Sequence, residues 1–309
     1  MKILVFGAGV IGCIYATKLF EAGYNVVLLA RGKRYEDLKQ HRVIIKDSQT
    51  GILSTSNIAL TQELKATDFF DLIIVTVRLD QLDEVIPILK KNRACPLVMF
   101  MLNNPQSVTR LVDELDPMHI ILGFPGTGGA YHDQFINYIQ IKEQKTTIGE
   151  IDGTISICTR EIKVMLEKAK FEVEISPDIQ GWLKIHAVFL SCIGAAMIKE
   201  NGDSMQLSKE RGSVEIMVKS IREGFSACKA LGLTIKPTNL KIIFMIMPLW
   251  FGVLYWQKAL KGKLGILAIA PHVNAARDEM QLLAKRVLTL VHSSTVLTPT
   301  LDKLLLSFI

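Results

Sequence analysis

A glycine-spaced hexapeptide after the first apolar run is the clearest sign of chemistry in this sequence. GAGVIG, from Gly7 to Gly12, directly follows KILVF and opens an amphipathic pattern that ends near Gly23. In G-x-G-x-x-G the first glycine (Gly7) allows a tight turn, the second (Gly9) lets the backbone approach a diphosphate, and the third (Gly12) allows close helix packing. The motif alone is weak, but this position between strand and helix predicts a dinucleotide-binding loop rather than a tight turn alone.

Basic residues stand where many such domains carry an acid. Arg31 lies about 20 positions beyond the glycines, and Lys33 and Arg34 follow it. An acidic residue there accepts hydrogen bonds from the ribose of NAD, whereas an arginine accommodates the 2′-phosphate of NADP. The sequence therefore predicts NADP (NADPH) with Arg31 as a phosphate ligand, and a solvated basic loop is the alternative.

Two polar residues follow predicted strands. Arg78 directly follows LIIVTV, and Asn104 directly follows VMFMLN. Ligands of open α/β sheets bind at the carboxyl ends of the strands, so Arg78 could contact a phosphate or carboxylate, and Asn104 the cofactor or substrate. Each could equally be a strand-end cap.

A lysine interrupts the apolar stretch GWLKIHAVFLSCIGAAM, residues 181–197. Lys184 stands among apolar neighbours in what we predict to be a buried helix. A lysine in such a place is snorkelling, paired, or chemically employed, because burial of an unpaired ammonium is costly.

Apolar runs of strand length alternate with helical patterns through the first third of the chain. The predicted strands are residues 2–6, 25–29, 71–77, 96–102 and 119–124, with helices near 10–22 and 82–90. Continuous apolar strands separated by helices are typical of a parallel sheet covered on both faces. We predict an α/β fold with an N-terminal Rossmann-type, doubly wound sheet.

The pattern changes further along the chain. From residue 126 to 149, two hairpin-like runs, FINYIQIK and KTTIGEI, are expected to extend the sheet. Beyond Pro177, long apolar-periodic stretches replace β-branched alternation. These changes predict an NADP-binding domain over residues 1–177 and an all-α substrate and dimerisation domain over residues 178–309.

Composition narrows the classes of partner. The 309 residues carry a net charge of +6, which phosphate-bearing cofactors explain as well as nucleic acid does, and no nucleic-acid-binding motif is recognisable. The five cysteines form no CxxC pair, and His132, His186 and His272 lack metal-ligand spacing. We expect no nucleic-acid partner, no metal site and a reducing, cytoplasmic location, with His186 as a core or interface residue.

One segment, residues 242–256, has a membrane-like composition. Its 15 positions fall short of the ~20 that a spanning helix needs, and Pro248 and Gly252 interrupt it. A buried or dimer-interface helix pair is favoured over membrane association. We therefore expect no stable membrane insertion, and the glycine-interrupted N-terminal run is not typical of a signal peptide.

Several motifs together resemble the ketopantoate reductase (2-dehydropantoate 2-reductase) family. The resemblance rests on MKILVFGAGVIG, LLARG, DLIIVTVR, the NN after the fifth strand, TTIGEIDG and WLKIHAVF. It covers the whole chain, with its specific motifs concentrated in residues 1–192. It implies pantothenate biosynthesis, in which NADPH reduces a small 2-oxo acid in the cleft between a Rossmann domain and a helical domain.

The resemblance also assigns roles to residues. It implies a diphosphate loop at Gly7, Gly9 and Gly12, a 2′-phosphate ligand at Arg31, a strand-end cation at Arg78, a cleft amide at Asn104 and a general acid at Lys184. Hydride transfer to a ketone carbon leaves negative charge on the oxygen, which a cationic donor within ~3 Å stabilises and protonates. A snorkelling lysine remains the alternative for Lys184.

The helical half departs from the family pattern. Asparagines expected four and eight positions after Lys184 are Val188 and Cys192 here, which puts the preference for ketopantoate in doubt. Ser191 could supply one replacement hydroxyl, and Asn201 is the counterpart of a later family asparagine. The family's later carboxylate falls in PHVNAARDEM, where the candidates are His272, Asn274, Asp278 and Glu279.

Two functions from different classes follow from these residues. The first is an NADPH-dependent reductase of a small 2-oxo acid with Lys184 as the general acid. The second, which the changes at Val188 and Cys192 motivate, is an NADP(H)-binding sensor or regulatory protein without turnover. A homodimer through the helical domain is an arrangement that either function would allow.

Overall fold

A computed structural model gives the fold of residues 1–105, 108–115 and 119–309, without the side chains of residues 109 and 110. The chain divides into two compact units. The first begins at Met1 and ends at Ile179, and the second comprises Gln180–Ile309 together with Asn103, Asn104 and Pro105. The sequence predicted the division after Pro177, and the structure places it two residues later, after Ile179. The residues that follow the fifth predicted strand belong to the helical unit.

The first unit contains all the strands that the structure describes. They are β1 (Lys2–Phe6), β2 (Asn25–Leu29), β3 (Val43–Asp47), β4 (Leu53–Ser56), β5 (Ala59–Thr61), β6 (Leu72–Val75), β7 (Leu97–Met101), β8 (His119–Phe124), β9 (Thr127–His132), β10 (Phe135–Gln140), β11 (Thr146–Glu150) and β12 (Val173–Ile175). Its helices are α1 (Val10–Glu21), α2 (Gly32–His41), α3 (Leu82–Lys91), α4 (Thr109–Leu115) and α5 (Ile157–Lys168).

The main sheet is Rossmann-type and doubly wound. Its eight strands lie in the order β12-β11-β8-β7-β6-β1-β2-β5, and β1 is parallel to both of its neighbours, β2 and β6. Strands β1, β6 and β7 are almost wholly buried, as their continuous apolar sequences require. The predicted fold is confirmed, and the strand order reverses beside β1, where sheets of this class bind ligands.

The sheet is mixed rather than wholly parallel, because β11 pairs antiparallel with β8. Of the two runs expected to extend the sheet, KTTIGEI does so as β11, and the prediction is wrong for FINYIQIK. FINYIQIK contains β10, which forms its hairpin with β9 in a separate four-stranded sheet, β4-β3-β10-β9. The two-residue turn after His132, with Asp133 at a φ of 53°, fixes that pairing.

The second unit is helical in the part that the structure describes. Its helices are α6 (Ile179–Lys199), α7 (Ser204–Lys209), α8 (Arg211–Ala230), α9 (Thr238–Lys241), α10 (Leu249–Lys261), α11 (Ala270–Ala275), α12 (Arg277–His292) and α13 (Pro299–Leu306). Wider π-helical turns occupy Ile242–Ile246 and Leu264–Ile269. The all-α prediction for this half is confirmed.

Helix α6 is the central apolar element of the second unit. By length and composition it is the one helix among the described residues that could cross a membrane, but 83% of its most apolar window is buried inside the protein. The segment 242–256, in contrast, is broken at Pro248, which precedes α10. Phe244 and Trp256 are buried, but Ile246, Trp250 and Leu254 are about half exposed or more, so the segment is buried on part of its surface only, and an interface role stays a prediction.

Candidate functional site

The glycine loop between β1 and α1 has the backbone geometry that a diphosphate needs. Gly7 has a φ of 115°, which side chains rarely adopt. A Cβ on Gly12 would lie 1.8 Å from the Gly7 carbonyl oxygen, whereas a Cβ on Gly9 would meet nothing within 4 Å. The loop is therefore closed at Gly12, where the helix packs on the strand, and open at Gly9, the N-cap of α1. This shape fits a dinucleotide diphosphate.

Thr76, which follows β6, fixes the start of this loop. Its hydroxyl donates to the Gly7 carbonyl at 2.9 Å and lies 3.3 Å from the Phe6 carbonyl. Sequence reasoning missed Thr76. A polar residue at the carboxyl end of the strand beside β1 was the available signal, since that edge of the sheet borders the glycine loop.

The basic triplet after β2 separates into different roles. Arg31 is exposed, and its guanidinium carbon lies 5.5 Å from the ring centroid of Phe6, the last residue of β1. Lys33 is exposed, whereas Arg34 is half-buried and donates from Nε to the Ala8 carbonyl at 3.1 Å. Arg31 and Arg34 thus both lie at the glycine-loop edge of the sheet, and the 2′-phosphate role of Arg31 stays a prediction.

Arg78 is exposed and makes a two-pronged ion pair within its own turn. Its Nε and Nη2 lie 3.1 Å and 3.0 Å from the two carboxylate oxygens of Asp80. An exposed pair of this kind contributes at most about 1 kcal/mol, so a ligand phosphate or carboxylate could compete with Asp80. The proposed ligand role of Arg78 stays a prediction.

The glutamate of the TTIGEIDG motif has a structural role. Glu150 accepts hydrogen bonds from the Ser156 N–H and the Thr159 hydroxyl, both at 2.7 Å, and its other oxygen lies 2.8 Å from His119 Nε2. Burial alone would raise the pKa of Glu150, but the bonds from Ser156, Thr159 and His119 outweigh it and lower the pKa to about 2. This carboxylate therefore joins β11, β8 and the N-terminus of α5.

The asparagines after β7 contact the helical unit. Asn103 is buried, and with its amide oriented to satisfy both groups it donates to the Leu183 carbonyl at 3.0 Å and accepts from the Ala187 N–H at 3.3 Å. Asn104 Oδ1 accepts from Arg286 Nη1 at 3.0 Å. The strand-end amides are thus placed by α6 and α12, and sequence reasoning missed both Asn103 and Arg286.

Lys184 is half-buried on α6, in the turn that Asn103 holds. Its charge acts on Cys228 of α8: burial raises the pKa of the Cys228 thiol to about 12, and the Lys184 ammonium partly counteracts the rise. His186 points elsewhere, stacked 4.7 Å from Trp182, and burial with the nearby His272 lowers its pKa to about 3. His186 is a neutral core residue, as predicted, and Lys184 is the available cation on this turn.

The positions that break the family pattern lie in the core of the helical unit. Val188 and Cys192 are both fully buried, and Val188 packs so closely on Gly224 of α8 that a Cβ there would lie 2.4 Å from Val188 Cγ1. Ser191 is also buried, and its hydroxyl has no hydrogen-bond partner among the residues described. At these three positions α6 is buried in the helical core rather than open to a ligand, whereas Lys184, earlier on the helix, is only half-buried.

Asn201 and the C-terminal candidates occupy varied places. Asn201 is exposed and lies just after the end of α6, with a φ of 57°. Asparagine is common at such helix ends because it tolerates the left-handed region. Asn274 donates to the Gly202 carbonyl at 2.9 Å and is structural. His272 and Asp278 are exposed, whereas Glu279 is buried, which makes it the best placed of the later carboxylates to act in an enclosed site. Within the described ranges no three His, Cys, Asp or Glu side chains are grouped as a metal site.

Comparison with known proteins gives concordant matches. The family model for ketopantoate reductase PanE/ApbA matches residues 3–153. A 2-dehydropantoate 2-reductase of Archaeoglobus fulgidus is 25% identical over 194 residues, which span 62% of this chain and 62% of that protein. The chain thus aligns with less than two thirds of this curated relative.

Solved structures extend the likeness in fold to the whole chain. A ternary structure of D-mandelate dehydrogenase with NADH and anilino(oxo)acetate superposes with a TM-score of 0.77 at 14% identity, over 100% of this chain and 97% of that one. A dimeric ketopantoate reductase from Staphylococcus aureus gives 0.69 at 12% identity, over 100% and 97%. The resemblance read from the motifs is confirmed over residues 3–153, which match the ketopantoate reductase family model, and the fold of solved ketopantoate reductases extends over the whole chain.

Proposed function

We propose that this protein is an NADPH-dependent reductase of a small 2-oxo acid, with Lys184 as the general acid. The observation that carries the proposal is the glycine loop, closed at Gly12 and open at Gly9, within the residues that match the ketopantoate reductase family model. A lysine at the WLK position of α6, half-buried and surrounded by apolar neighbours, supports the second part.

The roles of the chain's residues follow from this chemistry. A bound nicotinamide would supply the hydride. The loop N–H groups near Gly9 would bind the diphosphate, and Arg31, where no acid stands, would bind the 2′-phosphate. Lys184 would donate its proton to the ketone oxygen as negative charge develops there.

The substrate is the open part of the proposal. The buried Val188 and Cys192 offer no amides, so ketopantoate, the substrate of pantothenate biosynthesis, is expected to be reduced more slowly than at least one less polar 2-oxo acid. Arg286 and Asn104, joined at 3.0 Å, form the cation-plus-amide pair that suits the substrate carboxylate. The substrate-binding roles of Ser191 and Asn201 stay predictions.

The testing experiment is a panel of 2-oxo acids, graded in the size and polarity of the side chain, assayed with NADPH and with NADH by loss of nicotinamide absorbance. We expect turnover of at least one acid with a higher kcat/KM for NADPH. Turnover with NADH alone would refute the cofactor assignment. NADH belongs in the test because a D-mandelate dehydrogenase of the same fold binds it.

The second candidate is an NADP(H)-binding sensor without turnover. The conversion of two amide positions to core residues favours it, because a closed face binds no substrate. Tight NADPH binding without oxidation by any acid of the panel would establish it. Oxidation of NADPH with any member would exclude it.

We also propose a cytoplasmic homodimer through the helical unit. Ile246, which precedes Pro248, and Trp250 and Leu254, which follow it, expose 65%, 57% and 49% of their surface. Residues 224–277 hold seven basic residues and no acidic one. Positive charge is therefore concentrated in this part of the helical unit. Like charges would meet across a two-fold interface, and the dimer should therefore tighten with added salt, which light scattering at several ionic strengths would measure.

A further inference from the structure

Three side chains converge on one carbonyl of the glycine loop. Arg34 Nε donates to the Ala8 oxygen at 3.1 Å, the Tyr131 hydroxyl donates to the same oxygen at 3.3 Å, and the Cys13 thiol lies 3.5 Å from it. Ala8 stands between Gly7 and Gly9. The contacts therefore act on the peptide that the diphosphate must approach.

Arg34 and Tyr131 also hold each other. The Arg34 guanidinium carbon lies 4.5 Å above the Tyr131 ring centroid, and Arg34 Nη2 is 3.5 Å from the Cys13 sulfur. Arg34 comes from α2 and Tyr131 from β9 of the small sheet. Elements on two sides of the loop are thus joined at the Ala8 carbonyl.

Peptide planarity converts these bonds into an orientation. In a trans peptide the C=O of Ala8 and the N–H of Gly9 point in opposite directions within one plane. Donors that fix the Ala8 oxygen therefore aim the Gly9 N–H away from Arg34 and Tyr131. Open space surrounds Gly9, where a Cβ would meet no atom within 4 Å.

Arg31 differs from Arg34 in its contacts. Arg31 is exposed and contacts the ring of Phe6, whereas the guanidinium of Arg34 donates to the Ala8 carbonyl and to the Cys13 sulfur. A guanidinium bonded to the loop acts on a diphosphate, which NADH and NADPH share. A guanidinium at the exposed strand end is suited to the 2′-phosphate, which only NADPH carries.

We propose that Arg34 and Tyr131 are positioning residues that preset the Gly9 N–H for the dinucleotide diphosphate, so that they serve NADH and NADPH equally, while Arg31 alone separates the two. The inference rests on the proposed dinucleotide binding. It assigns the small sheet a purpose: β9 carries Tyr131 to the loop.

The test is the Kd of NADH and of NADPH, each measured by calorimetry on the full chain. Arg34→Lys keeps the charge but loses the planar fork, so both Kd values should rise about tenfold with their ratio unchanged. Tyr131→Phe keeps the ring under Arg34 and loses one bond, so both should rise by about threefold. Arg31→Ala should weaken NADPH alone, and Lys39→Ala, an exposed cation on the same helix, should change neither.

The outcomes separate the two levels of the argument. A wild-type chain that binds neither dinucleotide refutes the proposed function and this inference together. Wild-type binding with Arg34→Lys weakening NADPH only would make Arg34 a 2′-phosphate ligand and overturn the positioning role. Unchanged Kd values in both Arg34→Lys and Tyr131→Phe would also overturn it. The Tyr131→Phe result decides the matter if Arg34→Lys does not fold.

Discussion

The two units of this chain place the residues that resemble ketopantoate reductases in different ways. In the first, backbone defines the site: three glycines, a positive φ at Gly7 and a hydroxyl from Thr76 shape the loop. In the second, Lys184 stays on α6, but Val188 and Cys192 on the same helix are buried in the core. A nucleotide site made of backbone leaves few ways to change, whereas a substrate site made of side chains can be rebuilt one residue at a time.

The largest expected effect separates turnover from binding. Lys184→Ala should lower kcat by about 10³-fold, the middle of the range for a lost general acid, and leave the Kd of NADPH within twofold. Steady-state kinetics and calorimetry on one preparation give both numbers. Lys199→Ala, an exposed lysine at the end of α6, is the matched control and should be unaffected. Full activity in Lys184→Ala would remove this residue from the mechanism.

The next effect tests the backbone character of the first unit. Gly12→Ala places a Cβ 1.8 Å from a backbone oxygen and should cost about 3 kcal/mol or more of unfolding free energy. Gly9→Ala meets no atom within 4 Å and should fold normally while losing dinucleotide affinity. Urea titrations and binding assays measure the pair. Equal stability of the two variants would contradict the loop geometry.

A third substitution tests whether an amide at position 188 of the helical unit supports ketopantoate turnover. Val188→Asn puts a polar side chain against Gly224 in a fully buried place, so we expect a loss of about 3 kcal/mol and no gain in ketopantoate turnover. Val188→Ala, which adds no polar group, is the control for lost packing. A stable Val188→Asn protein with raised ketopantoate activity would show that this face is open to substrate.

Sequence alone predicted the parts of the molecule that local pattern determines. Strand β1, helix α1 and the glycine motif follow from residues adjacent in the chain, and all appear as expected. The small sheet was missed because β3 pairs with β10, from which it is separated by most of the domain. The two glycines of β9 weaken its strand signal, so the FINYIQIK run was assigned to the wrong sheet.

The same reasoning accounts for what was missed in the candidate site. Thr76 and Arg34 reach the loop through tertiary contacts that no spacing rule encodes. Asn103 and Arg286 act across a large sequence separation, on α6 and on Asn104 respectively. Lys184 was singled out because an ammonium in an apolar helix is a conflict visible in the sequence itself, and its role as general acid stays a prediction.

The smallest effect concerns acid stability, in which the first unit should be the sensitive one. The pKa of Glu150 is lowered from 4.5 to about 2, so its ionised form adds stability above pH 4.5 that is lost as the pH falls towards 2. Glu150→Gln should cost about 2 kcal/mol at pH 7, and its difference from wild type should shrink over that window. Urea titrations at graded pH measure this. A constant difference would show that the charge of Glu150 is not what stabilises β11 and α5.

The most direct measurement follows the hydride itself. NADPH carrying deuterium at both positions of nicotinamide C4 is incubated with the wild-type protein and the best acid of the panel, and the product is examined by NMR. The account predicts a 2-hydroxy acid with deuterium on the carbon that bore the ketone. A protein that binds NADPH yet transfers no deuterium to any 2-oxo acid would contradict the reductase and leave a nucleotide-binding fold.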